Sequence, residues 1–298
     1  MKPAAFKYAL PRTLPEALAV KAEHGEDATF LAGGQSLIPA MNFRLAQPAV
    51  LIDINRLEEL AFIRVDAETG DLHLGALTRH RDLQFDPVIA AAQPLLAETA
   101  PNVAHPQIRN RGTLCGNLAH ADPASEFPAV MLALEARLRL QSATGERWLA
   151  AEDFFVSVFT TARDDDEMLV EVAVPAMAPR TGACFLEVAR RPGDYAMMGV
   201  AAVVVLDEGG SCRDARLAYC SAGETPVAAK DAAARLIGAR AAGDEIAAAA
   251  EQAGQEIAPL GSVHASVGFQ RHLAAVLTRR ALHIAFDRAA AAGAEAAA

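Results

Sequence analysis

The sequence predicts an α+β protein of two domains, and three observations carry that reading. The 298 residues are 52% hydrophobic and 21% charged, enough apolar material for a sizeable core and enough length for two. The segment Pro175–Gly182 sets two prolines and a glycine among small residues, the composition of a linker. Beyond it, strand patterns come first and alanine-rich helical patterns follow, the order of an α+β domain.

Taken in order, Thr13–Leu14–Pro15–Glu16 opens a helix with a polar cap and an early proline and glutamate, and that helix runs towards Gly25. Strands are expected at 28–32, ending at the Gly33–Gly34 pair, at 50–54, and at 72–77 after a turn at Thr69–Gly70. Helical material around Val88–Ala100 leads into a glycine-containing loop at 108–123. A helix at Ala129–Ala136, an alternating strand at Arg137–Leu140 and a strand at Met168–Val174, closed by Pro175, complete the first domain. In the second, strands at Phe185–Arg190, Val200–Leu206 and Arg216–Ser221 form an antiparallel sheet, the latter two joined through Gly209–Gly210. Helices follow at Pro226–Arg240, Asp244–Ile257 and Gly268–Ala290. The last residues, 289–298, are almost all alanine and glycine and are expected to fray. The chain shows no internal repeat.

Composition excludes several functions. A net charge of −10 argues against nucleic acid, whose binding needs a basic face to release counterions. The start, Met1–Tyr8, runs into Pro11, Pro15 and Glu16 rather than an apolar core and cleavage site. The apolar run Met197–Leu206 is too short to span a bilayer and reads as a buried strand. A cytoplasmic protein without a membrane segment is expected. Cys115, Cys184, Cys212 and Cys220 share no C-x-x-C spacing, so disulfide, zinc and ferredoxin-type frameworks are unsupported, and no metal of its own is expected. There is no G-x-G-x-x-G and no G-x-x-x-x-G-K-[ST]. Ile38 stands where a nucleophile elbow at Ser36 needs its second glycine, and no catalytic residue is assigned.

Two stretches carry chemistry. Ile108–Pro123 places Gly112, Thr113, Gly116, Asn117, His120 and Asp122 between apolar segments, and Leu31–Pro39 contains Gly33–Gly34–Gln35–Ser36. Backbone N–H groups approach phosphate oxygens where no Cβ intervenes, so two such loops point to a ligand with a diphosphate. Each feature also has a plainer reading. The glycine pair alone is a tight turn. His120 and Asp122 are either an acid/base pair or a hydrogen-bonded loop histidine. Cys115 is a redox thiol or a small space-filler. His264, His272 and His283 could share a helical face, without the interleaved carboxylate of a zincin.

Four blocks in order give the chain a resemblance. They are Phe6-x-Tyr8-x-x-Pro11-x-Thr13-Leu14-x-Glu16-Ala17; Ala32–Pro39 with Asn42-x-Arg44 and Leu51–Ile54; Arg109–Ala124; and Ala189–Arg190–Arg191–Pro192–Gly193–Asp194–Tyr195–Ala196. The chain resembles the flavin-binding medium subunit of molybdenum hydroxylases, the family of carbon monoxide dehydrogenase and xanthine dehydrogenase, over nearly its whole length. The resemblance implies a two-lobed FAD-binding domain of the vanillyl-alcohol-oxidase (PCMH) type at 1–177, with lobes at roughly 1–56 and 57–177. A smaller α+β domain of CO dehydrogenase flavoprotein type follows at 183–288. It further implies non-covalent FAD on this chain, fed by [2Fe–2S] clusters of a small subunit and a molybdenum cofactor on a large subunit, in a dimer of heterotrimers. A chain with no metal ligands of its own suits a flavin carrier, whose chemistry belongs to the cofactor.

By that resemblance, Ala32, Gly33, Gly34, Gln35 and Ser36 would wrap the diphosphate. Thr113, Leu114, Cys115, Gly116 and Asn117 would supply the second set of contacts, Ala119, His120 and Asp122 would lie beside the ribityl or ring, and Leu37, Val103, Gly112 and Glu126 would be further cofactor contacts. Leu169 and Glu187 would line the adenine or ring side, and Asp194 and Tyr195 would lie near the isoalloxazine, with Tyr195 a lid. The chain departs from the family pattern at Gln35 (often histidine), Cys115 (often glycine), Glu126 (usually aspartate) and Glu187 (often lysine). The substrate stays open between carbon monoxide, purines and N-heterocycles; Gln35 and the run Arg190–Asp194 lean towards the last. A stand-alone flavin oxidoreductase and a flavin-less scaffold of the same fold are the alternatives.

Overall fold

The computed structural model of the chain describes residues 2–240 and 243–297. Its first lobe is a parallel sheet in which Val50–Asp53 lies between Lys7–Ala9 and Ala28–Leu31. The helix Leu14–His24 makes the crossover, capped by Thr13 Oγ1 accepting from the Glu16 amide and stopped at Gly25, whose φ of 51° suits glycine. The second lobe is a five-stranded antiparallel sheet in the order Ile63–Val65, Leu72–Gly75, Met168–Val174, Arg137–Gln141, Glu146–Ala150. The central strand, Met168–Val174, is buried along its whole length.

The C-terminal sheet joins the two halves of the molecule. Thr181–Ala189, Ala196–Leu206, Cys212–Cys220 and the short edge Val227–Ala228 pair in that order, all antiparallel. One face, with Phe185, Ala201, Val203, Ala218 and Cys220, packs into the core of the first domain. The other, with Met198, Val200, Ala202, Val204 and Tyr219, packs against the C-terminal helices. Burial on both faces explains why this strand reads as an unbroken apolar run.

Several expected elements change. The helix expected over Val88–Ala100 breaks into Pro87–Ala92 and Pro94–Thr99, because Pro94 forces Gln93 out of the helical region, to φ −144° and ψ 76°. The helix placed at Ala129–Ala136 runs over Glu126–Ala133. The one placed at Pro226–Arg240 shrinks to Lys230–Ala234, since Val227–Ala228 is captured as a sheet edge and the Ala229 amide donates to the Leu217 carbonyl at 2.9 Å. The stretch 289–298, expected to fray, is helical as far as Ala297 as part of Val267–Ala297; Ala298, like Met1, lies outside the described residues. Its anchor is close packing: Ala289 is fully buried, and Gly182 lies against the Ala285 carbonyl and Ala289 amide with no room for a Cβ. The linker is shorter than Pro175–Gly182, because strand pairing begins at Thr181.

Candidate functional site

A cavity of about 640 Å³ opens where the lobes and the second domain meet, within the range of small-molecule and cofactor sites. Its walls include Ala32, Gly33, Gly34, Gln35, Ser36, Leu37, Val103, Gly112, Thr113, Cys115, Gly116, Asn117, Ala119, His120, Glu126, Leu169, Asp194 and Tyr195. Asp122 and Glu187, expected beside them, are not among the lining residues. Asp122 instead holds its own turn, accepting from the Ala124 amide at 2.9 Å. Glu187 sits in the C-terminal sheet opposite Gly199.

The first glycine turn is bare backbone. Gly34 has φ of 71°, and the Gln35 side chain folds back to donate through Nε2 to the Gly33 carbonyl at 3.0 Å, leaving its backbone N–H free. A Cβ on Gly33 would fall 2.7 Å from the Gly112 Cα and closer still to the Arg111 carbonyl oxygen, so the two turns lie backbone against backbone. Among the described residues, the amides of Gly33, Gly34, Gln35 and Ser36 donate to no protein acceptor. Ser36 precedes the helix Leu37–Asn42 at φ −100° and ψ −42°, and its side chain makes no capping hydrogen bond. These amides are available to an anion.

The second turn differs from the expectation of a loop. Leu114–His120 is a helix, with Thr113 as its cap at φ −115° and ψ 152°. Thr113 Oγ1 accepts from the Gly116 amide at 3.1 Å, the Thr113 carbonyl from Asn117 at 3.0 Å, and the Thr78 carbonyl from Leu114 at 3.0 Å. Three of the amides expected to cradle phosphate are thus engaged within the chain. What this turn offers is side-chain chemistry: Asn117 donates through Nδ2 to Ser125 Oγ at 3.0 Å, leaving its buried Oδ1 without a partner.

Two residues outside the expected set tie the turns together. Arg79 donates to the Arg111 carbonyl and, at 2.7 Å, to Asn55 Oδ1. Asn55 Nδ2 in turn donates to the Ala32 carbonyl at 2.8 Å. Within the recognised Arg109–Arg111 run, Arg109 is structural. Its Nη1 donates to the carbonyls of Val103 and Ala104 at 3.0 and 2.8 Å, fixing the loop that lines the cavity.

The acid/base reading of His120 loses ground. Its ring stacks on Phe159 with centroids 4.9 Å apart, and burial lowers its pKa. His80, missed in the sequence, also lines the cavity; burial takes it down to about 4, which keeps it neutral, and neither ring nitrogen has a partner. The Cys115 thiol is buried and raised well above its usual range, the behaviour of a space-filler. Tyr195 lines the cavity while much of its surface stays exposed, and its phenol is raised by partial desolvation and by the charge of Asp122. The lining also carries charged side chains, Lys21, Glu26, Arg163 and Asp165. Lys21 was legible: Leu14, Ala17, Leu18 and Lys21 share one helical face, and a lysine there must find acceptors. It donates to the Gly25 and Ala28 carbonyls at 2.8 and 2.7 Å. His264, His272 and His283 are exposed, and no group of three His, Cys, Asp or Glu able to hold a metal occurs among the described residues.

Comparison with known proteins shows the family of the chain. Residues 4–177 match the FAD binding domain in molybdopterin dehydrogenase, and residues 183–285 the CO dehydrogenase flavoprotein C-terminal domain. The chain is 43% identical to the 6-hydroxypseudooxynicotine dehydrogenase complex subunit alpha of Paenarthrobacter nicotinovorans, over 97% of each chain. It is 42% identical to the caffeine dehydrogenase subunit beta of Pseudomonas sp. (strain CBB1), again over 97% of each. A solved chain of the carbon monoxide dehydrogenase of Hydrogenophaga pseudoflava superposes with a TM-score of 0.93 at 38% identity, covering 97% of this chain and 99% of that one.

Proposed function

The chain belongs to the FAD-binding medium subunits of molybdenum hydroxylases, and from that premise we propose how its own residues hold the flavin and where it works. It is the FAD-carrying electron-transfer subunit of an oxidoreductase whose other subunits carry the [2Fe–2S] clusters and the molybdenum cofactor. The observation that carries the residue-level reading is the row of unengaged amides at Gly33, Gly34, Gln35 and Ser36, in a cradle that a single Cβ would fill.

When bound, FAD supplies reversible electron uptake and release, chemistry that belongs to the cofactor. The chain's part is binding and shielding. Amides of the first turn meet the anionic diphosphate, and Arg79 and Asn55 keep that turn pressed on its neighbour. Asn117 Oδ1 offers an acceptor to a hydroxyl or N–H of the ligand. Leu169, Val103 and Cys115 exclude water from the inner wall, and Tyr195 covers the mouth. Domain limits at 1–177 and 183–288 follow the family pattern. We place the chain in a dimer of heterotrimers in the cytoplasm, as the family resemblance implies. No helix among the described residues is long and apolar enough to cross a membrane. Similarity to relatives named for 6-hydroxypseudooxynicotine and caffeine favours a nitrogen heterocycle as the substrate of the complex.

Co-purification at native expression tests this. The expected result is a yellow complex in which this chain accompanies two further subunits, with iron and molybdenum in the same peak. A colourless chain without partners overturns the reading. Bleaching of a bound flavin by a small organic substrate, with this chain alone, would instead favour the stand-alone oxidoreductase.

A further inference from the structure

At the seam between the domains lie two carboxyl groups, close enough for the charge of one to raise the other, and neither forms an ion pair among the described residues. Glu126 opens the helix Glu126–Ala133, is 6% exposed and lines the cavity. Among the described residues, only its own backbone N–H meets its carboxyl. Glu187 pairs with Gly199, and Gly199 pairs with Cys220, so the three form one row across three strands. Directly paired residues point to the same face of a sheet. That face carries Phe185, Ala201 and Ala218 into the core shared with Phe127 and Val130 of the Glu126 helix. Gly199 leaves the room: a Cβ there would fall 3.3 Å from the Glu187 Cβ and 2.6 Å from Cys220 Sγ. Glu187 Oε2 is buried with no hydrogen-bond partner.

We propose that Glu126 and Glu187 form one buried acid pair that retains a proton when the cavity fills, so that binding of the anionic dinucleotide is linked to proton uptake. The inference rests on the FAD reading above. Filling the cavity removes water from Glu126 and brings in negative charge, and both effects favour the protonated acid. The helix N-terminus favours the anion, but only by about 0.3–1 kcal/mol at an ordinary site. Burial outweighs it and raises Glu126 to about 7. Burial and the Glu126 charge raise Glu187 to about 8. The other titratable groups around the pair are Asp122, whose charge also raises Glu126, the Tyr195 phenol and the Cys220 thiol, both raised, and His120, lowered. None of the three shifted groups titrates between the two carboxyls. The pair, with Glu126 on the cavity wall and Glu187 behind it in the shared core, therefore passes from neutral to doubly anionic across neutral pH, and the two steps belong to the pair.

Two measurements on the full-length chain test this. Carbon-13 NMR of glutamate-labelled, cofactor-free protein should show two carboxyl signals titrating near neutral pH. Glu126→Gln and Glu187→Gln should each remove one, and Glu126→Gln should move the survivor to lower pH. Titration with free FAD from about pH 6 to about pH 9 should show affinity falling by up to about tenfold per pH unit for one linked proton. The double variant, which keeps both shapes, should bind FAD with a flat profile. Carboxyl signals that all titrate in the ordinary carboxylate range, or parallel FAD profiles in wild type and double variant, would overturn the linkage alone. No FAD uptake at any pH would overturn the cofactor reading and the linkage with it.

Discussion

At the first glycine turn the amides of Gly33 to Ser36 have no acceptor in the chain, whereas at the second the amides of Leu114, Gly116 and Asn117 are engaged by Thr78 and Thr113. The two stretches look alike in composition, and each leads into a helix. Their difference lies in one residue's backbone. Thr113 is extended, at ψ 152°, so its hydroxyl folds over the first helical turn and caps it. Ser36 is already helical, at ψ −42°, and its hydroxyl makes no capping bond. A glycine-rich turn is an anion cradle only if nothing in the chain satisfies its amides first. On the reading proposed above, the first turn is the binding surface and the second a buttress that presents side chains.

The sharpest way to break this comparison is to add a methyl to each turn. Gly33→Ala places a Cβ against the Arg111 carbonyl and 2.7 Å from the Gly112 Cα, where only backbone can give way. Overpacking of this kind costs about 1–3 kcal/mol and here separates the turns. Loss of bound FAD from the purified protein, read by its absorbance per chain, is the expected result. Gly116→Ala meets the Thr113 hydroxyl at 2.7 Å, a group that can rotate, and should leave most of the FAD in place. Equal loss in both variants would erase the distinction.

Comparable in size is a pH effect at the wall between the turns and the second domain. Glu126 has its folded-state pKa raised from 4.5 to about 7. The stability this contributes is fully present below pH 4.5, is lost progressively as pH rises towards about 7, and stays lost above it. The loss is on the order of 3 kcal/mol. Glu126→Gln should therefore melt higher than wild type at pH 8 and lose that advantage at pH 4.5. An advantage that does not change with pH would show that the carboxyl is not desolvated as its burial implies.

Much of the fold was legible, for identifiable reasons. The Thr13 cap with Pro15 and Glu16 is a local signal, and the helix Leu14–His24 obeys it. The run Met197–Leu206 is apolar on both faces, and the strand is buried on both. What failed was decided by distant contacts: the edge strand Val227–Ala228 needed Cys212–Cys220 beside it, and the terminal helix needed Gly182 beneath it. At the site, glycines and small polar residues marked both turns. Their division of labour was hidden, because it depends on the backbone angle at Ser36 and Thr113. The ties from Arg79 and Asn55 were invisible too, since each spans a sequence separation of more than 20 residues.

Those ties give the third test. Arg79→Ala removes donors from the Arg111 carbonyl and Asn55 Oδ1, charged hydrogen bonds worth about 2 kcal/mol together. FAD affinity should fall roughly tenfold to thirtyfold by that figure. Because Arg79 and Asn55 form one chain of contacts, Asn55→Ala should add little on top of Arg79→Ala. Fully additive losses would mean that the residues act on the two turns separately.

The smallest effect is the most discriminating. Thr113→Ala deletes the cap, which costs about 1 kcal/mol of stability in a chemical denaturation curve. It also releases the Gly116 amide, while leaving the Asn117 and Leu114 hydrogen bonds intact. If the second turn only buttresses, FAD affinity should change by less than about threefold, under 1 kcal/mol, and Thr113→Ser should recover the stability. A cradle built from both turns makes the opposite forecast. There, a hydroxyl touching the ligand would be lost and affinity would drop with or before stability. Comparing the two readouts in one variant separates a residue that holds the wall from one that holds the cofactor.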